Sequence, residues 1–188
     1  MSTFLWVIVP YVCLAVFVVG HVWRYRYDKF GWTTRSSQLY EDTLLRIGSP
    51  LFHFGMLGVV AGHIIGLVIP QVWTNALGLT PHAYHVIALA GGIPAGIAAV
   101  VGLAILVYRR RTTGPVFSAT TVNDKAMYAV LGTVMVLGMW NTVAGSLLQF
   151  GGEYNYREGV SPWFRSIFMF QPEPELMAAA PLGFQLPA

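Results

Sequence analysis

Three stretches of this chain, 2–23, 47–108 and 126–152, contain no Asp, Glu, Lys or Arg. Each is at least as long as the roughly 20 apolar residues a helix needs to cross a hydrocarbon core. The middle stretch is interrupted between Pro70 and Pro81, so it supplies two crossings. The expected architecture is an all-α transmembrane helical bundle, a single membrane domain over residues 1–188. Its spans are predicted at about 3–20, 51–69, 82–108 and 127–150. Residues 151–188 are expected to form an outer segment, apolar at its end but too short to cross.

Composition agrees: 55% of the chain is hydrophobic and 10% charged, whereas about a quarter of the residues of a soluble domain are charged. The N-terminal run "MSTFLWVIVPYVCLAVFVVGH" lacks a basic start and a small-residue cleavage site, so it is read as a retained span. Cys13 is the one cysteine, which rules out an internal disulfide and suits a small apolar filler.

Charges fall only between the spans. The first loop holds Arg24, Arg26, Lys29, Arg35 and Arg46, the third holds Arg109, Arg110, Arg111 and Lys125, and the segment after the fourth span holds Arg157 and Arg165. Nine basic residues on one side against two on the other place loops one and three in the cytoplasm and the N-terminus outside. The net charge of +3 is thus spread over loops rather than gathered in a stripe, which argues against nucleic acid as a partner. Trp6, Trp23, Trp32, Trp73 and Trp163 lie near the proposed boundaries, where an amphipathic ring sits between lipid and water. The run Arg109 to Arg111 is expected to set orientation and touch anionic lipid head groups, with partner docking as its secondary role.

The second span, "SPLFHFGMLGVVAGHIIGLVIP" from Ser49, carries His53 and His63. Polar side chains are costly inside a bilayer, so intramembrane histidines point to function. Ten residues rise about 15 Å and leave the two rings about 80° apart around the helix, so both can face one interior at two depths. Gly58, Gly62 and Gly66 accompany them as a small-residue stripe that suits helix packing or the close approach of a flat macrocycle. Haem ligation, a proton or ion pathway and hydrogen-bonded packing are the three roles open to the pair. Haem leads, because the spans hold no Asp, Glu, Lys or Arg and a transporter usually needs one.

Several strings then resemble the gamma subunit of respiratory nitrate reductase, a di-haem membrane cytochrome b. They are "WRYRYDKFGWTTRSSQ" from Trp23, "SPLFHFGMLGVVAGH" from Ser49, "ALAGG" from Ala88, "YRRR" from Tyr108 and "FSATTVNDKAMY" from Phe117. The resemblance implies a multi-pass plasma-membrane subunit that oxidises quinol near the outer face and passes electrons through two stacked b haems. Its partners would be a cytoplasmic iron–sulfur beta subunit and a molybdenum alpha subunit that carries the nitrate chemistry. It makes His53 an axial ligand of the cytoplasmic-side haem iron and His63 of the outer one.

The family's other two axial histidines come from a fifth helix, the first of them after a string like "FQL". This chain reads "GFQLPA", with Pro187 where that histidine would stand. The resemblance thus makes the end of the 151–188 segment the start of that fifth helix. Truncation is the expectation drawn from this, and its alternative functional outcome is a haem-deficient structural anchor for the reductase. His21, His82 and His85 are topologically able to act as substitute ligands. His82 and His85 are also candidates for the quinol site, where the family has a lysine aligned near Ala83. Contacts of Arg24, Arg26 and Arg35 with a partner or with haem propionates are weighed equally with lipid contacts. A small channel or transporter is a third, weaker reading.

Overall fold

The computed structural model describes residues 1–29, 37–148 and 154–186. Four helices are long and apolar enough to cross a bilayer: α1 Phe4–Tyr27, α2 Thr43–Val68, α4 Pro81–Thr112 and α6 Val122–Leu147. Five short helices complete the described fold: α3 Gln71–Ala76, α5 Gly114–Ser118, α7 Val160–Phe168, α8 Pro174–Ala178 and α9 Leu182–Gln185. The described residues form an all-α bundle without a strand.

The helices overrun the predicted spans because local signals beyond the apolar stretches extend them. Helix α2 begins eight residues before Leu51, and the carboxylate of Glu41 accepts the free amide of Leu44 at 2.7 Å. Helix α4 has 32 residues, about 48 Å at 1.5 Å per residue, so its Arg109–Arg111 end projects beyond a 30 Å hydrocarbon core. Thr80 caps its start by accepting from the Ala83 amide, with Pro81 in the first turn. Helix α6 opens on a reciprocal Thr121–Asp124 capping box. Between α2 and α4 the chain reverses through α3, whose end at Ala76 is followed by Gly78 with φ +82°, a left-handed conformation that favours glycine.

Helices α2 and α4 form the closest pair, and glycine makes the approach possible. A Cβ on Gly55 would lie 2.5 Å from the Ala99 backbone nitrogen. One on Gly102 would collide with the backbone of Phe52, and one on Gly48 would lie 2.8 Å from Ile105 Cγ2. Main chain therefore meets main chain along this seam. Helix α6 lies beside α4, with Met139 against Gly96.

The largest buried cluster is at one end of the bundle, not at its middle. There Val160, Trp163, Ile167, Met177 and Ala180 pack with Trp6, Tyr11, Leu14, Leu67 and Phe184, so residues 154–186 form a cap over the ends of α1 and α2. Trp163 is consequently a core residue at 5% exposure and not a lipid-interface ring. Its indole N–H donates to the Trp6 carbonyl at 2.9 Å. That carbonyl is available because Pro10, four residues on, has no N–H to return to it. Helix α1 is tied to the cap by this bond and by the Tyr11 hydroxyl, which donates to the Ile167 carbonyl at 2.8 Å. Nearer its other end, Val16, Phe17, Val19, Val22 and Trp23 are exposed, as lipid-facing residues are.

The opposite end is fastened by Arg109, which corrects the expectation of a lipid-facing side chain. It is 2% exposed and turned inward, pairing with the Glu41 carboxylate and donating to the Ser37 hydroxyl and carbonyl. Arg110 leans on α6 instead, donating to Thr120 and lying over the Tyr128 ring. Trp32, Arg35 and Pro187, singled out in the sequence, lie outside the described residues.

Candidate functional site

His53 and His63 are both on α2, and both are exposed. Each ring is fixed in the same way: His53 Nδ1 lies 2.7 Å from the Ser49 carbonyl, and His63 Nδ1 lies 2.8 Å from the Val59 carbonyl, each four residues back. A carbonyl only accepts, so Nδ1 carries the proton and Nε2 keeps its lone pair. Neither Nε2 has a hydrogen-bond partner among the described residues. A neutral imidazole with its N–H on a backbone carbonyl is the form that binds a metal, since the second bond fixes ring and tautomer.

The seam with α4 occupies one side of α2, and the opposite side is open. Phe54, Leu57, Val60 and Ile64 are exposed there; at 100° per residue His53 shares that side and His63 lies about 80° round from His53. A flat apolar group with a central metal suits this face; the Ser49 hydroxyl, 3.2 Å from His53, lies at Nδ1 and so leaves Nε2 without a competing partner. No group of three or more His, Cys, Asp or Glu that could hold an ion together occurs among the described residues. A single imidazole per site is enough only where other donors fill the metal's coordination, as the four nitrogens of a porphyrin do.

The three glycines expected as one stripe fall in three environments. A Cβ on Gly58 would meet Ala95 of α4 at 2.9 Å, Gly62 has no atom within 4 Å of that position, and Gly66 faces the hydroxyls of Tyr156 and Tyr84. Only Gly62 thus retains open space, beside His63.

Of the other histidines, His21 on α1 is exposed, its Nδ1 2.7 Å from the Phe17 carbonyl. His82 is exposed at the start of α4. His85, one turn on, is half-buried and its Nε2–H donates to the Ser146 carbonyl of α6 at 3.2 Å, which leaves Nδ1 as its basic nitrogen. His21 is thus near the end of α1, and His82 and His85 are at the start of α4.

The polar network at the cap end was not anticipated from the sequence. Arg157, 5% exposed, donates to the Thr74 hydroxyl at 2.9 Å and the Ile69 carbonyl at 3.0 Å, and lies 4.0 Å over the Tyr84 ring. The Tyr84 and Tyr156 hydroxyls are 3.2 Å apart. Burial, with the Tyr84 hydroxyl beside it, pushes the Tyr156 phenol well above its ordinary range. Burial also lowers the pKa of Arg165, and the neighbouring Arg157 charge adds to this. Buried arginines were hidden in a sequence where every arginine reads as a loop charge.

The nitrate reductase gamma subunit family model matches residues 2–188. The chain is 59% identical over 186 residues to the nitrate reductase-like protein NarX of Mycobacterium tuberculosis (strain ATCC 25618 / H37Rv), covering 99% of this chain but 28% of that protein. It is 42% identical over 182 residues to the nitrate reductase gamma chain of Bacillus subtilis (strain 168), covering 96% of this chain and 80% of that one. The respiratory nitrate reductase 2 gamma chain of Escherichia coli (strain K12) is 31% identical over 171 residues, 91% of this chain and 74% of that one. With four membrane-length helices and a match over nearly its whole length, the chain belongs to the nitrate reductase gamma subunit family.

Proposed function

We propose that this chain is the quinol-oxidising electron-transfer subunit of a nitrate reductase assembly, with His53 and His63 as axial ligands of two b haems. The observation that supports the reading is the pair of exposed imidazoles on one helix, each held through Nδ1 by a backbone carbonyl so that Nε2 is the nitrogen left for a ligand. Ten residues of helix put them at depths about 15 Å apart. Bound haem would supply a reversible one-electron couple at each imidazole.

The protein's own part is orientation and insulation. Ser49 and Val59 fix the rings, and the α2–α4 seam fixes the helix. Basic residues at the Arg109 end put that end in the cytoplasm, where an iron–sulfur beta subunit and a molybdenum alpha subunit would dock. The cap end then faces outward, and His63 is the nearer histidine to it. Gly62 leaves room beside that ring for a macrocycle, while Gly58 and Gly66 serve packing. His85 is placed to accept a quinol proton at Nδ1, and exposed His82 is a secondary acceptor.

Reduced-minus-oxidised spectra of membranes holding the whole assembly test this. A b-type signal with two haems per chain, reducible by quinol, is expected. Absence of such a signal would contradict the reading and leave the structural-anchor role.

A further inference from the structure

Immediately after His63 the helix widens into a π-helical turn, Ile64–Val68, and then leaves helical geometry at Ile69, with ψ at 120°. The residue before a proline is driven to that extended conformation, and Pro70 has no N–H to return to Gly66. A helix end leaves several carbonyls without partners, each costly in an apolar setting.

Three side chains of the cap meet these carbonyls. The Ser161 hydroxyl donates to Gly66 at 2.8 Å, Arg165 to Leu67 at 2.9 Å and Arg157 to Ile69 at 3.0 Å. Arg157 is itself held by Thr74 and by its stacking on Tyr84. A Cβ on Gly66 would stand 2.8 Å from the Tyr156 hydroxyl and 3.1 Å from that of Tyr84, so the backbone is gripped from the remaining side as well.

His63 therefore lies between two fixed points, the glycine seam before it and the Gly66–Ile69 clamp after it. We propose that Ser161, Arg157 and Arg165 are positioning residues for His63, setting the rotation of the α2 end and so the plane of that imidazole. His53 precedes the seam residue Gly55 and is remote from the clamp, so the effect belongs to one site only. The proposal rests on the reading of His63 as an axial ligand. It assigns the cap a part in tuning the outer redox centre.

The test uses the complete assembly, with Ser161→Ala, Ser161→Thr, Arg157→Lys and His63→Leu examined by low-spin haem EPR and redox titration. His63→Leu identifies the outer haem by removing its signal. Ser161→Ala is expected to shift the g values and midpoint potential of that haem alone, and Arg157→Lys to do the same although the charge is retained. Ser161→Thr, which keeps the hydroxyl, is expected to restore the native spectrum. If His63→Leu removes one haem while Ser161→Ala leaves its spectrum and potential native, the clamp proposal is overturned and the ligand assignment stands. Equal perturbation of both haems by Ser161→Ala overturns it too. Retention of both haems in His63→Leu defeats the parent reading instead.

Discussion

Glu41 and Arg109 are 68 positions apart in sequence, and the arginine Nε lies 2.6 Å from the glutamate Oε2. The same carboxylate accepts the Leu44 amide, so one acidic side chain both starts α2 and ties it to the end of α4. The Leu44 amide chiefly, and Arg109 in addition, hold the Glu41 carboxyl below its ordinary value of 4.5, against the opposing effect of desolvation. A depressed carboxylate stabilises the fold above its unfolded pKa and loses that contribution as pH falls through the folded one. The protection factors of amides in residues 37–46, corrected for the intrinsic pH dependence of exchange, are expected to stay high from neutral pH down to the ordinary carboxylate value and to fall below it. Glu41→Gln should show the lowered protection at neutral pH, and equal protection in variant and wild type would contradict this.

The α2–α4 seam predicts a contrast between glycines. Gly55→Ala and Gly102→Ala each drive a methyl group into facing backbone, which cannot move aside as a side chain tip can. Each is expected to cost about 1–3 kcal/mol, the usual range for overpacking. Gly62→Ala meets nothing within 4 Å, and alanine's helix propensity favours it by up to about 1 kcal/mol. Unfolding of the assembly in mixed detergent micelles checks the ranking, and a Gly102→Ala protein as stable as wild type would contradict it.

His85 and His82 differ in what holds them. His85 is half-buried and oriented by the Ser146 carbonyl, whereas His82 is exposed. If His85 accepts the quinol proton, His85→Leu is expected to slow quinol oxidation by about 10²–10⁴-fold, the usual contribution of a positioned base. Haem spectra should stay native, and His82→Leu should have a smaller effect. Native turnover in His85→Leu would remove the residue from the site.

Much of this was legible in the sequence where the signal is local. Charge-free runs of membrane length located four helices, and the isolated polarity of His53 and His63 within one of them marked the candidate site. The ends of the helices were less legible, because the extension of α2 to Thr43 and of α4 to Thr112 depends on capping and on charged residues that apolarity alone does not include. Least legible were contacts over long separations. Arg109 looks like its neighbours Arg110 and Arg111, and only the fold turns it inward to Glu41. Arg157 and Arg165 likewise read as loop charges until residues 154–186 fold back over the carbonyls that follow His63. The glycine stripe at 58, 62 and 66 followed helical spacing correctly but could not tell which face α4 would take.

The proposed function turns on two imidazoles of α2 holding haem iron at separate depths. Replacing His53 and His63 by leucine, one at a time, in the purified whole assembly and measuring bound porphyrin per chain decides it. Each substitution is expected to remove one haem and leave the other. Undiminished porphyrin in both variants would contradict it.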